Sequence, residues 1–179
     1  TYSYSWSTGS TVFNPINLPA GTHTVTVIDF NGCTATASVT INEPNVVNVS
    51  AAVTNVDCNG ASTGSMLASA IGGTSPYTYS FDGGSFGTSS FGSLTVGSYV
   101  VQARDANGCL SQVLTVVITE PSAITINGTV SNVSCNTGTN GGIVLSASGG
   151  TGTYSYAWNT GQTTAFISNV AAGTYTVIV

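Results

Sequence analysis

The chain has 179 residues, only 4% of them charged: one basic side chain (Arg104), six acids and one histidine (His23), for a net charge of -5. A single arginine cannot neutralise several phosphates or dock on anionic lipid, which excludes nucleic acid and membrane surfaces as partners. No apolar run approaches a bilayer span and no basic n-region with an apolar h-region opens the chain, so no membrane insertion is expected. Yet 41% of the residues are apolar, alternating with Thr and Ser as in folded strands.

Read in chain order, the sequence repeats itself. Tyr2-Ser-Tyr-Ser-Trp6 returns as Tyr77-Thr-Tyr-Ser-Phe81 and as Tyr154-Ser-Tyr-Ala-Trp158. Gly21-Thr-His-Thr-Val25 returns as Gly97-Ser-Tyr-Val-Val101 and Gly173-Thr-Tyr-Thr-Val177, and Asp29-Phe-Asn-Gly-Cys33 as Asp105-Ala-Asn-Gly-Cys109. Glu43-Pro44 returns as Glu120-Pro121 and Cys58-Asn59 as Cys135-Asn136, with a period of 75 to 77 residues. So many matches in fixed order indicate tandem units. With Glu-Pro as punctuation, residues 44–120 form one complete repeat. Residues 1–43 are then the C-terminal part of a preceding repeat and residues 121–179 the N-terminal part of a following one, and the parent protein is expected to hold more copies.

Within the complete unit, Val46 to Val56 and Ser65 to Ile71 read as the first two strands, with Cys58 to Gly64 as the turn region between them. After the break at Gly72-Gly73, Tyr77, Tyr79 and Phe81 fall at i, i+2 and i+4, on one face of a strand. Together with Trp6 and Trp158, which occupy the position of Phe81, they are the expected core aromatics. A short polar strand covers the Ser85 to Leu94 region, and the next strand points Tyr99, Val101 and Ala103 inward. Asp105-Ala-Asn-Gly108 carries the Asn-Gly pair of a tight hairpin turn. Leu110 to Thr119 returns, one residue longer than its counterpart after Cys33, for which a β-bulge is the simplest account.

No segment shows a convincing period of 3.6. The expected fold is all-β: tandem immunoglobulin-like β-sandwich repeats of about 77 residues, with six or alternatively seven strands each. Leu94-x-x-Gly97-x-Tyr99 has the spacing of a tyrosine corner, in which a Tyr hydroxyl bonds back to the preceding loop. Val170, Gly173 and Tyr175 repeat it, and Leu18-x-x-Gly21-x-His23 puts His23 at the tyrosine position.

Cys33, Cys58, Cys109 and Cys135 have no neighbouring histidine and no CxxC spacing, which points away from zinc and towards disulfides of an oxidising compartment. Cys58 ends the first strand and Cys109 follows the last hairpin turn, so they share an end only if an even number of strand crossings separates them. Six strands, with one between Gly84 and Leu94, allow an in-domain disulfide of Cys58 with Cys109, the favoured pairing for so small a core. An odd count forbids it. The rival pairing, Cys33 with Cys58, would bridge neighbouring units.

The Asp29 and Asp105 turns faintly resemble the start of a calcium loop, but each has one carboxylate where calcium takes about six to eight oxygens. A hairpin turn is expected there, with no metal and no cofactor; calcium at a junction through Glu43 or Asp57 is the alternative. Phe30, Phe86, Phe91 and Phe166 sit in or near turns, either as a sugar-stacking platform or as scattered rim aromatics. The complete unit contains no His or Lys to serve as a base for its hydroxyls, and Asp57, Asp82, Asp105 and Glu120 fall in separate turns. Neither a nucleophile with its base nor a carboxylate pair is expected, and the segment reads as non-catalytic.

The ordered set Cys58-Asn59, Gly72-Gly73-Thr-x-Pro-Tyr-Thr-Tyr-Ser80, Leu94-x-x-Gly97-x-Tyr99, Asp105-x-Asn-Gly-Cys109 and Thr119-Glu120-Pro121 resembles the SprB repeat of Bacteroidetes surface proteins. The resemblance covers the whole chain; Phe81 replaces the usual Trp, His23 the Tyr, and the loop before Leu94 is shortened. It implies a very large adhesin on the surface of a Gram-negative bacterium, extracellular and attached to the outer membrane. Such adhesins are exported by the type IX secretion system and, in gliding bacteria, propelled along the cell surface. The secretion and gliding machinery would then be engaged through other regions. The partners of these residues would be neighbouring repeats, joined at Glu43-Pro44 and Glu120-Pro121. The expected function is a structural stalk segment of such an adhesin; the alternative is a carbohydrate-binding module that holds surface polysaccharide weakly and gains avidity by number.

Overall fold

A computed structural model describes residues 1–179. The chain is all-β, with fourteen strands and no helix. β1 (Ser3–Trp6), β2 (Gly21–Ile28) and β3 (Thr34–Ile41) form one antiparallel sheet. The middle stretch holds β4 (Asn48–Thr54), β5 (Gly64–Ile71), β6 (Thr78–Phe81), β7 (Ser90–Leu94), β8 (Gly97–Arg104) and β9 (Leu114–Ile118). They form two sheets, in the orders β4-β5-β7 and β6-β8-β9. β10 (Thr125–Ser131), β11 (Gly141–Ser148), β12 (Ala157–Trp158), β13 (Phe166–Val170) and β14 (Val177–Ile178) follow as the sheets β10-β11-β13 and β12-β14.

The two middle sheets close over a single core. Val47, Met66, Ala68 and Leu94 come from one side and Tyr79, Val101, Ala103, Val116 and Ile118 from the other. The alternation Met66/Ala68, Val101/Ala103 and Val116/Ile118 is the period of two that puts every second side chain on the inner face. Met66, Val101 and Ile118 are the largest side chains fully withdrawn from water, each worth about 1.5–3 kcal/mol of burial. The other sheets lack this cover: β3 and β10 are exposed along their whole length.

Outer faces are held by hydroxyls where most proteins use charges. Directly paired residues bond across the ladders: Thr22 with Thr40 at 3.0 Å, Thr24 with Ser38 at 3.0 Å, Ser50 with Ser69 at 2.8 Å and Thr125 with Ser148 at 2.8 Å. Such cross-strand pairs add a few tenths of a kcal/mol each, up to about 1 kcal/mol, and favour the correct register. They also hydrate a surface that has almost no ions.

The Ser85 to Leu94 region is more than one strand. An isolated bridge of Tyr79 with Gly87 folds the residues after β6 back alongside it, and β7 begins only at Ser90. This short return run adds a pass along the unit. Five passes therefore separate Cys58 from Cys109: β5, β6, the return run, β7 and β8. Cys58 lies at the end where its neighbours Asn59 and Gly60 bond Glu120, and Cys109 at the opposite end, where Asp105 bonds Thr74. The expected disulfide of Cys58 with Cys109 is not formed; all four cysteines are free and exposed. The rival pair of Cys33 with Cys58 is not formed either, and β3 and β4 belong to different sheets.

The returning strand carries the extra residue. Val101 pairs with Leu114, but Arg104 bridges Leu110, so four residue steps on one side match three on the other. Buried Ser111 fills the irregularity: its Oγ accepts the Ala103 N–H at 2.9 Å and donates to the Gln112 carbonyl at 2.7 Å. The β2–β3 ladder runs from Gly21 paired with Ile41 to Ile28 paired with Thr34 without a shift.

Candidate functional site

The linker that follows β9 is tied back to the turn that follows β4. Cys58-Asn59-Gly60 makes a tight turn after β4, with Gly60 at φ 76°. The Glu120 carboxylate reaches that turn: Oε1 accepts the Asn59 Nδ2 amide at 3.0 Å and Oε2 the Gly60 N–H at 2.6 Å. Asn59 Nδ2 also donates to the Pro121 carbonyl at 3.1 Å. Just inside, Val56 N–H donates to the Thr119 carbonyl at 3.0 Å and Thr119 N–H to Asn55 Oδ1 at 3.0 Å. The Glu-Pro punctuation and the Cys-Asn turn are two halves of one clasp on the linker. Proline fixes φ at the next residue, which removes a degree of freedom there. Glu43-Pro44 occupies the corresponding place one repeat earlier.

The second recurring device is a side chain bonded to the carbonyl four residues before it. Tyr99 Oη donates to the Thr95 carbonyl at 3.0 Å and Tyr175 Oη to the Ala171 carbonyl at 2.9 Å. His23 Nε2 donates to the Pro19 carbonyl at 2.8 Å and is only 5% exposed. Leu94 is buried beside the corner and Val170 half-buried. Gly97 lies against the Tyr99 ring and Gly173 against that of Tyr175, at ordinary contact distance for an added Cβ.

The aromatic strand serves two purposes. Tyr79 is buried, and Tyr77 and Phe81 pack against the core from the same face. Tyr77 also bonds the Gly72 carbonyl through its hydroxyl at 2.5 Å, as Tyr154 bonds Gly149 at 2.6 Å. This closes the Gly-Gly break, where an added Cβ on Gly72, at φ 80°, would lie 2.0 Å from the Val46 carbonyl oxygen. Trp6 Nε1 donates to the Val12 carbonyl at 3.0 Å and Trp158 Nε1 to Thr164 at 2.9 Å. Phe81 has no such donor; instead its ring stacks on Phe91 at 4.6 Å and Tyr99 at 5.3 Å.

The hairpin turns are three-residue loops, with the Asn-Gly pair in their second and third positions. Asp105 N–H donates to the Cys109 carbonyl at 3.0 Å, Gly108 N–H to the Asp105 carbonyl at 3.1 Å, and Gly108 has φ 88°. This is a type I turn closed by a glycine in the left-handed region. Asp105 organises it: Oδ1 accepts the N–H groups of Asn107 at 2.9 Å and Cys109 at 2.7 Å, and Oδ2 that of Thr74 at 2.9 Å. The bond from Thr74 does most to hold this carboxyl below the ordinary aspartate range; desolvation opposes it, and the bonds from Cys109 and Asn107 add to it. Asp29 repeats the bonds to its own loop, from Asn31 at 2.9 Å and Cys33 at 2.7 Å. The carboxylate oxygens are engaged by N–H groups, and no three His, Cys, Asp or Glu side chains gather as cation ligands.

The four phenylalanines do not make one platform. Phe91 is inside the stack with Phe81, Phe86 lies under the Arg104 guanidinium at 4.4 Å from its ring centre, and Phe30 and Phe166 are exposed. Asp82 accepts the Val100 N–H at 2.8 Å, a strand-pinning contact that Asn159 makes to Thr176 and Ser7 to Thr24. Asp29, Asp82, Asp105 and Glu120 thus have structural partners in separate turns.

Two clefts border the third copy. One, of about 520 Å³, is lined by Val133, Gly141, Val170 and Tyr175 among others. Gly64, the counterpart of Gly141, is overlaid by Ile118, so this cleft is where a returning strand sits in the complete unit. The other, of about 360 Å³, opens at the joint between Asp57, Cys58 and Asn59 on one side and Ser122, Gly150 and Thr151 on the other.

A family model described as SprB repeat matches residues 50–86 and 127–163. Each matched segment runs from inside the first strand of a copy, through the Cys-Asn turn and the Gly-Gly break, to just beyond the aromatic strand. No curated protein matches the chain.

Proposed function

Because residues 50–86 and 127–163 are SprB repeats, we propose that this chain is a stalk segment of a large, repetitive cell-surface adhesin, with its units at 1–43, 44–120 and 121–179. The family supplies the coarse reading: a structural repeat of extracellular, cell-surface, adhesin-like proteins. The single observation that carries the finer one is the Glu120 clasp. It binds the outgoing linker to the body of its own repeat, so successive repeats are held in a set relation and length accumulates with copy number. Strands of seven or eight residues at about 3.3 Å each give a unit roughly 25 Å long before its turns are counted.

An immunoglobulin-like unit is supported by the strand order. Numbering the six strands of the complete unit in sequence, the first, second and fourth form one sheet and the third, fifth and sixth the other. That is the immunoglobulin connectivity with one edge strand omitted. Attachment to the outer membrane, type IX export and a part in gliding follow from the family resemblance and concern regions outside this segment.

The competing reading is a carbohydrate-binding repeat acting by avidity. The dispersal of Phe30, Phe86, Phe91 and Phe166 argues against a shared stacking surface. A glycan array probed with the 179-residue chain tests the choice. The stalk reading expects no saturable binding; micromolar binding to a defined polysaccharide would replace it with the binding-module reading.

A further inference from the structure

The cysteines fall into two repeat-related classes, turn cysteines (Cys58, Cys135) and hairpin cysteines (Cys33, Cys109), and all four are exposed thiols. We propose that the turn cysteine of each repeat forms a disulfide with the hairpin cysteine of the repeat that follows it. The inference rests on the tandem-unit reading above.

The hairpin's seat is visible in the complete unit. Thr74 donates its N–H to Asp105 Oδ2 at 2.9 Å, accepts the Ala106 N–H at 2.9 Å on its carbonyl, and accepts Asn107 Nδ2 at 3.0 Å on its hydroxyl. Gly73 is part of the same seat, with Asp105 Oδ2 only 2.6 Å from where its Cβ would be. One repeat later the counterparts of Gly73 and Thr74 are Gly150 and Thr151. Those two residues face Asp57, Cys58 and Asn59 across the 360 Å³ cleft at the joint. A hairpin seated on Thr151 as Asp105-Ala-Asn-Gly-Cys109 is seated on Thr74 therefore enters the cleft that Cys58 lines.

Polarity agrees. Within one unit the two classes lie at opposite ends, so no bridge can form there, but the end of one unit that bears the turn cysteine meets the end of the next that bears the hairpin. Cys58 and Cys135 then look to following hairpins, and Cys33 and Cys109 to preceding turns. No such pair has both members within residues 1–179, which accounts for four free thiols in one folded chain. In the reaction two S–H bonds break and one S–S bond forms. The S–S bond of a small-molecule disulfide breaks in exchange through a mixed disulfide, and it takes up the two electrons and the two protons to leave as two thiols.

The test adds a second copy of Arg104–Glu120 after Val179. Val179 is the counterpart of Ala103, so the addition continues the third repeat in register. The chain is treated with a small-molecule disulfide and mapped by non-reducing peptide mass spectrometry with thiol alkylation. The expected result is one cross-linked peptide joining Cys58 to the added cysteine, with both lost together from the alkylated pool, while Cys58→Ser leaves the added cysteine free. Hydrogen exchange of the added strand is read in parallel. If that strand is protected but Cys58 stays alkylatable, or pairs with Cys109, the disulfide inference is overturned and the tandem reading stands. If the added strand is unprotected, the tandem reading fails and takes the inference with it.

Discussion

The Glu120 carboxylate accepts the Gly60 N–H at 2.6 Å, so the last acidic residue of a repeat is held by the first turn of that same repeat. The contact spans nearly the whole unit in sequence and almost none of it in space. Glu120→Ala removes it while leaving the Asn59 to Pro121 bond. The bonds are exposed, so the expected loss of global stability is about 1 kcal/mol. The larger effect is local: faster hydrogen exchange at Gly60 and greater independent tumbling of the flanking segments by NMR relaxation. Glu120→Gln, which keeps an acceptor oxygen, should fall between the two. Unchanged tumbling in Glu120→Ala would show that the clasp does not stiffen the joint.

The corner bonds give a second expectation. Tyr99→Phe deletes the hydroxyl that reaches the Thr95 carbonyl and keeps the ring, so thermal unfolding should report a loss of about 0.5–1.5 kcal/mol. His23→Tyr should be tolerated, because the phenol offers the same donor to the Pro19 carbonyl that the imidazole now satisfies. A collapse of the 1–43 segment in His23→Tyr would contradict the equivalence of the two side chains.

Asp105 sets an acid limit. Its folded-state carboxyl titrates below the ordinary aspartate value of about 3.9. The unfolded chain therefore binds the proton first as pH falls. The stabilisation is fully present above pH ~4 and is lost as pH falls from there through the lower folded-state value. Denaturant midpoints measured between neutral pH and about pH 2.5 should decline more steeply for the native chain than for Asp105→Asn, whose amide does not titrate. Parallel declines would locate the acid sensitivity in the other carboxylates.

The Phe81 stack predicts a non-additive pair. Phe81→Trp alone brings an indole against Phe91, whose counterpart beside Trp158 is the smaller Ile167. The single substitution should destabilise by about 1–3 kcal/mol through overpacking. Adding Phe91→Ile should recover most of that loss, with a coupling energy above about 0.5 kcal/mol in the double-mutant cycle. Simple additivity would mean that the two rings are energetically independent.

Much of this architecture was legible from side-chain period alone. Tyr77, Tyr79 and Phe81 share one face of their strand and Tyr99, Val101 and Ala103 one face of theirs, and the corner spacing around Tyr99 and His23 marks the penultimate strand. The link between Glu120 and Asn59 was not legible. Both motifs recur, but a sequence does not show which ends of a unit meet. The return run near Gly87 was hidden for a related reason: it is held by one bridge to Tyr79, too short to impose a hydrophobic period, and missing it put Cys58 and Cys109 at the same end. Tyr77 was read as a core ring, correctly placed on the inner face, while its hydroxyl bond to Gly72 depends on a backbone bend that only the glycine pair hints at.

The central claim, that these repeats extend and stiffen, is tested most directly by small-angle X-ray scattering on chains of two, four and eight concatenated copies of residues 44–120. The account predicts a maximum dimension that rises in proportion to copy number, by roughly one strand length plus turns per repeat. Growth with the square root of copy number, as for units on flexible linkers, would contradict it.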